Sequence, residues 1–521
     1  MATKVMECDL VVLGAGGVGI VAAVKAAEDS GKKVIVLEKA RKPGGGASFM
    51  HCFEIRDSKW QKEAGETVKE PQDLSGQFFD WLVTKGGAEE YWKVYKPTDL
   101  GSSFFGTVHM FKRTGIYKDL PDASIGPGWT GTYVVDKMLE CCKKTGIPVI
   151  TSARAKKLIT DTSGKVTGVM ADTEDGELQV NCKACLITTG GFGADYKRLQ
   201  KLFPVDFNNE SIMCLAPPSL TGDGIDMAEA IGAHVDWENT SVSFAGGVHH
   251  PYSYSIFCMI LNKNTMKPWP ESLLVTLDGA RWGWPANTHD MQSSGPPGQG
   301  SAPSGGPGSS HSGSGPSGKA PSGPGFKYAP SPVSSLPGGA FYAIVDQNIA
   351  GILAKKLIAA EFDEPAVIRH QRWQEDLDYE ASLDDTKISH GNHVKKADTL
   401  EELALKMDID PKVFMATVEK YNKHCDEGKD PDFGKDASAL IPLRNPPYYA
   451  LWAHRFSQMT RGGIVTNGNM EMLDTKGNVM PGLFAGGVDA SPSGGGMRIG
   501  RAQTQGYYAG QLLGKYLKNL G

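Results

Sequence analysis

The sequence predicts an α/β fold, because short apolar runs alternate with segments of helical spacing at both ends of the chain. Residues 9–13 and 33–38 are apolar runs typical of buried parallel strands, and an Ala/Val-rich helix is predicted between them. After the apolar residues 148–150, the pattern predicts a β-meander that runs through residues 155–159 and 166–170 and ends in the segment 184–193. Residues 482–489 predict a strand that ends in glycines, ahead of a helix from about Ala502.

The first predicted strand leads directly into the glycine-rich loop GAGGVG. Gly14 allows a tight turn, Gly16 lets the backbone approach a pyrophosphate, and Gly19 lets helix and strand pack closely. The N-terminus of the helix supplies free N–H groups and the positive end of its dipole. Glu38, about 20 residues further on, is placed to accept hydrogen bonds from ribose hydroxyls. Together these features predict a dinucleotide-binding site.

The composition excludes several classes of protein. The chain has 521 residues, a net charge of −5 and no basic cluster, which argues against a nucleic-acid partner. No apolar run approaches the roughly 18–20 residues of a membrane span. The N-terminus leads within a few residues into a strand, which leaves no room for a signal peptide. Nine cysteines, an odd and low number, suit a reducing compartment. We therefore expect a soluble cytoplasmic protein.

Many of the 64 glycines and 31 prolines fall in one segment, at about residues 292–339. A segment so rich in Gly, Ser and Pro cannot bury enough apolar surface to offset its ordering entropy. We expect a flexible insert within a folded unit. It is either a tether without a role or a mobile flap over an active site.

The choice between FAD and NAD depends on a second glycine-rich loop. Residues 42–48 follow the acid-ending strand directly, where such a loop would lie against a ribityl chain. This arrangement favours FAD.

Several motifs in order resemble the fumarate reductase/succinate dehydrogenase flavoprotein superfamily, which includes the 3-ketosteroid dehydrogenases. They are GAGGVG (14–19), LEK (37–39), PGGGAS (43–48), LITTGGFG (186–193), TGDG (221–224) and GLFAGGVD (482–489). The resemblance implies a Rossmann-like FAD-binding domain with a β-meander, made of residues 1–237 and 458–521. It also implies an inserted α+β capping domain at residues 238–457, which contains the Gly/Ser/Pro-rich segment.

The resemblance also implies the positions that contact FAD. Relatives with covalent FAD have a histidine directly after the serine of the second glycine loop. Here Phe49 follows Ser48, and the nearest histidine is His51, so we expect noncovalent FAD. Val488 stands where relatives have an acid against the ribityl chain, and Asp489 is a candidate replacement. The predicted contacts are Gly14, Gly16, Gly17, Val18, Gly19, Glu38, Lys39, Gly45, Gly46, Ala47, Ser48, Ala155, Thr189, Gly190, Gly191, Asp223, Gly487, Asp489, Arg498 and Ile499.

The substrate-handling residues depart from those of the fumarate reductases. The position of the family's general-acid arginine is Ala350, and residues 281–289 lack its relay glutamate. The paired substrate histidines are replaced by Gln458 and Met459. Arg498 remains, where the family has the arginine that pairs with a substrate carboxylate. Fumarate itself is therefore not the expected substrate.

Hydride transfer beside a carbonyl needs a donor that polarises the carbonyl and a group that handles the second proton. Arg498 can pair with a carboxylate or donate to a carbonyl. The other catalytic candidates are Tyr449, His250 and Tyr252. The alternative for Tyr449 is a role in packing alone, and the alternative for His250 is a structural or solvated imidazole. The Cys182-x-x-Cys185 pair has no second pair to complete a metal site, so no metal is predicted.

These observations predict an FAD-dependent oxidoreductase that transfers hydride between flavin N5 and an activated C–C bond. The first hypothesis is reduction of an α,β-unsaturated organic substrate. The alternatives are a ketosteroid-type desaturase, or a flavin-binding electron-transfer or interaction subunit without substrate chemistry. The sequence contains no second redox centre, so we expect a separate electron donor or acceptor.

Overall fold

The structure, a computed structural model, describes most of the chain. The described residues are 3–49, 53–54, 74–86, 92–95, 108–111, 130–204, 213–214, 216–238, 240–247, 261–262, 267–268, 270–283, 293–294, 333, 336–360, 394–491 and 501–520. Most of the Gly/Ser/Pro-rich segment lies outside them.

The described chain contains helices and strands in a mixed α/β order. The helices are α1 (Gly19–Ser30), α2 (Leu74–Gly86), α3 (Thr130–Thr145), α4 (Tyr196–Leu202), α5 (Asp223–Ala230), α6 (Gln347–Ala360), α7 (Leu400–Lys406), α8 (Pro411–Asp426) and α9 (Arg501–Asn519). The strands are β1 (Lys4–Glu7), β2 (Leu10–Leu13), β3 (Val34–Leu37), β4 (Phe53–Glu54), β5 (Trp92–Tyr95), β6 (Val108–Phe111), β7 (Val149–Ile150), β8 (Arg154–Thr160), β9 (Val166–Thr173), β10 (Gly176–Asn181), β11 (Ala184–Ile187), β12 (Met213–Cys214), β13 (Ser241–Gly247), β14 (Leu261–Asn262), β15 (Lys267–Pro268), β16 (Leu273–Thr276), β17 (Ser293–Ser294), β18 (Ala340–Asp346), β19 (Val394–Ala397), β20 (Tyr448–Arg461), β21 (Ile464–Val465), β22 (Glu471–Leu473), β23 (Val479–Ala485) and β24 (Ala490–Ser491).

The first sheet joins both ends of the chain. Its strand order is β22-β23-β11-β2-β3-β7, and all neighbours are parallel except β22 and β23. Strands β2, β3 and β11 are buried along their whole length, as expected for parallel strands covered on both faces. Leu10, Val12 and Val34 pack with helices α1, α2, α3 and α9 on one face. Val11, Leu13 and Ile35 pack on the other face, against the meander.

The predicted meander forms a separate sheet of order β1-β10-β9-β8. Strands β8, β9 and β10 are antiparallel, and β1 adds to β10 in parallel.

The third main sheet has its own apolar core. Strands β16, β18, β20, β13 and β17 lie in this order, and β12 and β19 also pair with β20. Helices α7 and α8 pack on this core. The predicted domain boundary at 457/458 falls inside β20, which is one continuous strand of 14 residues.

Helices α1 and α9 approach each other closely because glycines of α9 face α1. A Cβ on Gly506 would collide with the Val18 backbone, and one on Gly510 would collide with Lys25 and lie 3.0 Å from the Ala22 carbonyl. The C-terminal helix is thereby fixed against the helix that follows the first glycine loop. None of the helices in the described part of the chain is long and apolar enough to cross a membrane.

We expect Gly510→Ala to lower the free energy of unfolding by about 1–3 kcal/mol, because the added methyl group overpacks the α1–α9 contact. The matched control is Gly351→Ala in helix α6, where an added Cβ meets no atom within 4 Å. That substitution should be neutral or stabilising by about 0.4–1 kcal/mol, since it reduces the entropy of the unfolded chain. Denaturant unfolding measures both, and equal stability of the two variants would contradict the packing argument.

Candidate functional site

A large cavity opens at the carboxyl ends of the central parallel strands. Its volume is about 1240 Å³ when the open space at its mouth is included. The residues at the ends of β2, β3, β11 and β23 line it, and these strands all run in the same direction. The chain leaves β2 toward β3 on one side and has β11 on the other. Such a reversal of strand order is where open α/β sheets bind ligands.

Most of the residues predicted from the sequence to contact a cofactor line this cavity. They are Gly14, Gly16, Gly17, Val18, Glu38, Lys39, Gly45, Gly46, Ala47, Ala155, Thr189, Gly190, Asp223 and Gly487. Sequence reasoning missed several others, which are Leu13, Leu37, Ala153, Thr188, Ser219, Leu220, Gly486, Val488 and Ala502. Leu13, Leu37, Thr188 and Gly486 are strand-end residues, so strand direction was the signal that could have found them.

The glycines of the first loop have different roles. Gly14 has a φ of +98°, and a Cβ there would collide with the Thr188 carbonyl. Gly19 does not line the cavity; its Cβ would collide with the Gly14 carbonyl and the Thr188 hydroxyl. A Cβ on Gly16 would meet only the Gly44 carbonyl, at 3.8 Å. The surface over Gly16 is therefore open to the cavity, where a bulky group can approach the backbone.

Glu38 is a buried carboxylate at the end of β3. The Ala15 N–H donates to its Oε2 at 2.7 Å, and the Ala40 N–H donates to its Oε1 at 2.8 Å. Burial raises the pKa of Glu38, and these two hydrogen bonds oppose the rise. Each carboxylate oxygen has two acceptor sites, so hydroxyl groups in the cavity can still be bound.

A charged cluster joins three segments at the wall of the cavity. The Lys39 amine lies 3.1 Å from Asp223 Oδ2, and the Arg154 guanidinium donates to both Asp223 oxygens at 2.9 and 3.0 Å. Burial would raise the pKa of Asp223, but hydrogen bonds from Arg154, Thr221 and Lys39 outweigh burial and hold it below its ordinary value. The cluster ties the end of β3 to the starts of β8 and α5.

Asp489 lies behind the cavity wall, whereas its neighbour Val488 lines the cavity. The Asp489 carboxylate is fully buried and accepts hydrogen bonds from the N–H groups of Gly190 and Gly191, at 2.9 and 2.8 Å. Gly191 does not line the cavity either. Asp489 therefore contacts the loop that contains Gly190 and does not line the cavity.

Of the catalytic candidates, the structure describes only Tyr449. His250, Tyr252 and Arg498 lie outside the described residues. So do two of the predicted cofactor contacts, Ile499 and the side chain of Ser48. Tyr449 is fully buried in the core of the third sheet, with the Lys396 amine 5.7 Å from its ring centroid, and it does not line the cavity.

Two positions that were compared with the fumarate reductase pattern, Ala350 and Arg281, lie in that same core or beside it. Ala350 is fully buried among apolar residues of the third sheet and helix α6. Arg281 donates to both oxygens of Asp430, at 2.8 and 2.7 Å. His424 and Asp432 lie close to Asp430 and could join it around a metal ion, but Arg281 already neutralises the Asp430 carboxylate.

Comparison with known families agrees with this geometry. A family model described as "FAD binding domain" matches residues 61–245 and 336–502, which is more than half of the chain. The chain belongs to this family. FAD is therefore its cofactor, as the sequence predicted.

Two curated relatives are similar over nearly the whole chain. A protein named vinyl phenol reductase from Lactiplantibacillus plantarum is 26% identical over 499 residues, covering 93% of this chain and 90% of the relative. A protein named urocanate reductase from Eggerthella lenta is 26% identical over 535 residues, covering 98% and 74%. The predicted class, an FAD-dependent oxidoreductase, is confirmed.

The fold is also similar to solved structures. The open conformation of a flavocytochrome c3 fumarate reductase aligns with a TM-score of 0.67 at 20% identity, covering 99% of this chain and 78% of that one. The mixed α/β fold and the resemblance to the fumarate reductase flavoproteins are confirmed.

We expect Asp223→Asn to weaken FAD binding about tenfold, because the loss of charge releases Lys39, which lines the cavity, and Arg154, which bonds Asp223 from outside it. The pKa of Asp223 is lower in the folded protein than its ordinary value. Its ion pairs therefore stabilise the fold fully above the ordinary aspartate pKa, and this stabilisation is lost only as pH falls through the lowered pKa. Fluorescence titration of the apoprotein with FAD at neutral pH measures the effect.

The matched control is Asp226→Asn in the same helix, whose carboxylate pairs with Arg198 at 2.9 Å. Asp226 does not line the cavity, so the FAD dissociation constant of the Asp226→Asn protein should stay within about twofold of the wild-type value. An equal loss of affinity in both variants would contradict the assigned role of Asp223.

Proposed function

We propose that this chain binds FAD noncovalently in the cavity and transfers hydride between flavin N5 and a C–C bond of an organic substrate. The first choice is reduction of an α,β-unsaturated or similarly conjugated substrate other than fumarate. On this proposal, residues 1–237 and 458–521 form a Rossmann-like FAD-binding domain, and residues 238–457 form a cap. The observation that carries the proposal is the long cavity at the strand ends, lined by eight glycines and by Glu38.

The lining residues fit an extended dinucleotide. Gly16 and Gly17 precede helix α1, whose N-terminal N–H groups and dipole suit the pyrophosphate. Glu38 suits a ribose diol, because both of its oxygens keep acceptor capacity. The wall for the other half of the cofactor is mostly apolar and consists of Gly45–Ala47, Thr189 and Val488. A side chain on Gly16 would project into this space, which explains why none is present.

Bound FAD would supply the hydride-accepting and hydride-donating chemistry. The chain's own part is to bind and orient the substrate and to exclude water. Helix α9 begins at Arg501, and Ala502 lines the cavity, so the positive end of the helix dipole favours negative charge there. Arg498, four residues before Ala502, is the proposed cation for a substrate carboxylate or carbonyl.

The substrate class follows from what the chain lacks and from its relatives. Ala350, in the position of the family's general acid, is an alanine buried in an apolar core and cannot donate a proton. Two relatives are named for unsaturated substrates, a vinyl phenol and urocanate. Both support a conjugated organic substrate. Electrons would come from a separate donor.

An anaerobic spectroscopic experiment tests the proposal. The purified protein should carry a flavin spectrum, and acid precipitation should release the flavin into solution. After reduction with dithionite, one of a panel of cinnamates, enoates, urocanate, vinyl phenols and steroid enones should reoxidise the flavin, whereas fumarate should not.

Each failure of this experiment points elsewhere. Absence of flavin, with no binding of added FAD, would refute the whole proposal. Bleaching of the oxidised enzyme by a saturated ketone would favour a desaturase. A flavin that no substrate oxidises or reduces would favour an electron-transfer or interaction subunit.

We expect Arg498→Met to keep its flavin but to be reoxidised about 10–100-fold more slowly by the active substrate, because a charge-assisted hydrogen bond is lost. Arg444→Met is a control, since Arg444 forms an exposed ion pair with Asp426 at 2.6 Å. Stopped-flow measurement of flavin reoxidation compares the two. Wild-type reoxidation rates for Arg498→Met would remove Arg498 from the substrate site.

A further inference from the structure

The buried carboxylate of Asp489 accepts several hydrogen bonds from a single loop. It is fully buried in the turn between β23 and β24. Its Oδ1 accepts from the Gly191 N–H at 2.8 Å, and its Oδ2 accepts from the Gly190 N–H at 2.9 Å. The Thr189 hydroxyl lies 3.2 and 3.1 Å from the two oxygens. All these donors belong to one loop, about 300 residues earlier in the chain.

That loop forms part of the cavity wall, and two of its glycines have backbone conformations that other residues rarely adopt. Thr189 and Gly190 line the cavity, and Gly190 and Gly191 have φ values of +90° and +75°. The Thr189 hydroxyl also accepts from the Gly224 N–H at 3.2 Å, at the start of helix α5. The same carboxylate therefore fixes the loop and, through Thr189, the helix that carries Asp223.

A second side chain holds the next residue of the loop. The Phe192 N–H donates to the hydroxyl of Thr460 at 3.2 Å, and Thr460 is fully buried at the end of β20. Three successive N–H groups, at residues 190–192, are thus satisfied by side chains from the last part of the chain. Without them the loop would leave buried N–H donors unpaired, which is unfavourable because an unsatisfied buried donor has lost its hydrogen bonds to water.

We propose that Asp489 is a positioning residue for FAD, which shapes the Thr189–Gly191 loop from behind the cavity wall without touching the cofactor. The inference rests on the proposed binding of FAD in this cavity. Burial raises the pKa of Asp489, and the hydrogen bonds from Gly191, Gly190 and Thr189 oppose the rise. Replacing the carboxylate by an amide would direct an NH₂ group toward one of the glycine N–H donors, so the loop would have to move.

The test compares Asp489→Asn with a matched variant, Asp346→Asn. Asp346 is also fully buried and accepts from the N–H groups of Ile349, Arg444 and Asn445, but it lies in the third sheet and does not line the cavity. FAD dissociation constants are measured by fluorescence titration of the apoproteins, and folding is measured by far-UV circular dichroism and thermal unfolding.

We expect Asp489→Asn to raise the FAD dissociation constant about 10–100-fold, which corresponds to the loss of one or two buried hydrogen bonds. Asp346→Asn should lower the melting temperature but leave FAD affinity within about twofold. If Asp489→Asn does not fold, Thr460→Val is the second variant. It removes the neighbouring support of the same loop without touching the cavity lining, and it should weaken FAD binding severalfold.

The outcomes are distinct. Wild-type FAD affinity in a folded Asp489→Asn or Thr460→Val protein would overturn the inference while leaving the proposed function intact. Equal losses of affinity in the Asp489 and Asp346 variants would overturn it too, because they would reflect general destabilisation. If the wild-type protein binds no FAD, the proposed function fails and this inference falls with it.

Discussion

The architecture of the site depends on one close approach of backbone segments at the ends of β2 and β11. The Gly14 carbonyl, the Thr188 carbonyl and the start of helix α1 lie so close together that neither Gly14 nor Gly19 could carry a Cβ. This contact sets the direction in which α1 leaves the sheet. It therefore also sets where the N-terminal N–H groups of the helix open into the cavity.

The remaining walls of the cavity come from distant parts of the chain. Strand β23 pairs with β11, helix α9 packs on α1 through its glycines, and the loop at residues 189–192 is held from residues 460 and 489. Bringing such segments together costs loop-closure entropy, although the cost grows slowly with loop length. The fully buried apolar strands of the first sheet provide the compensating free energy.

Features formed by residues close together in the sequence could be predicted, whereas contacts between distant segments could not. The strand–glycine–helix–strand unit and Glu38 are specified within about 30 consecutive residues, so pattern alone was sufficient. Arg154 could not be found, because its partner Asp223 is 69 residues away. Val488 and Asp489 are adjacent in sequence, but the turn directs Val488 to the cavity and Asp489 to the loop. The sequence alone does not show this difference. Tyr449 lies on a long strand, where the sequence does not say which face is covered, and the structure buries it.

Strand β20 has a mechanical consequence. Its 14 residues span about 46 Å at roughly 3.3 Å per residue. Residues 448–454 pair with β18, and near the other end of the strand Thr460 accepts a hydrogen bond from the Phe192 N–H, beside the loop residues that line the cavity. Hydrogen bonds to β18, β19 and β13 hold this strand in the third sheet along its length, with one irregularity in the β13 pairing between Ser243 and Phe244. A displacement of the third sheet relative to the first would therefore strain the loop at residues 189–192, which Thr460 bonds, and would change the wall of the cavity that Thr189 and Gly190 form.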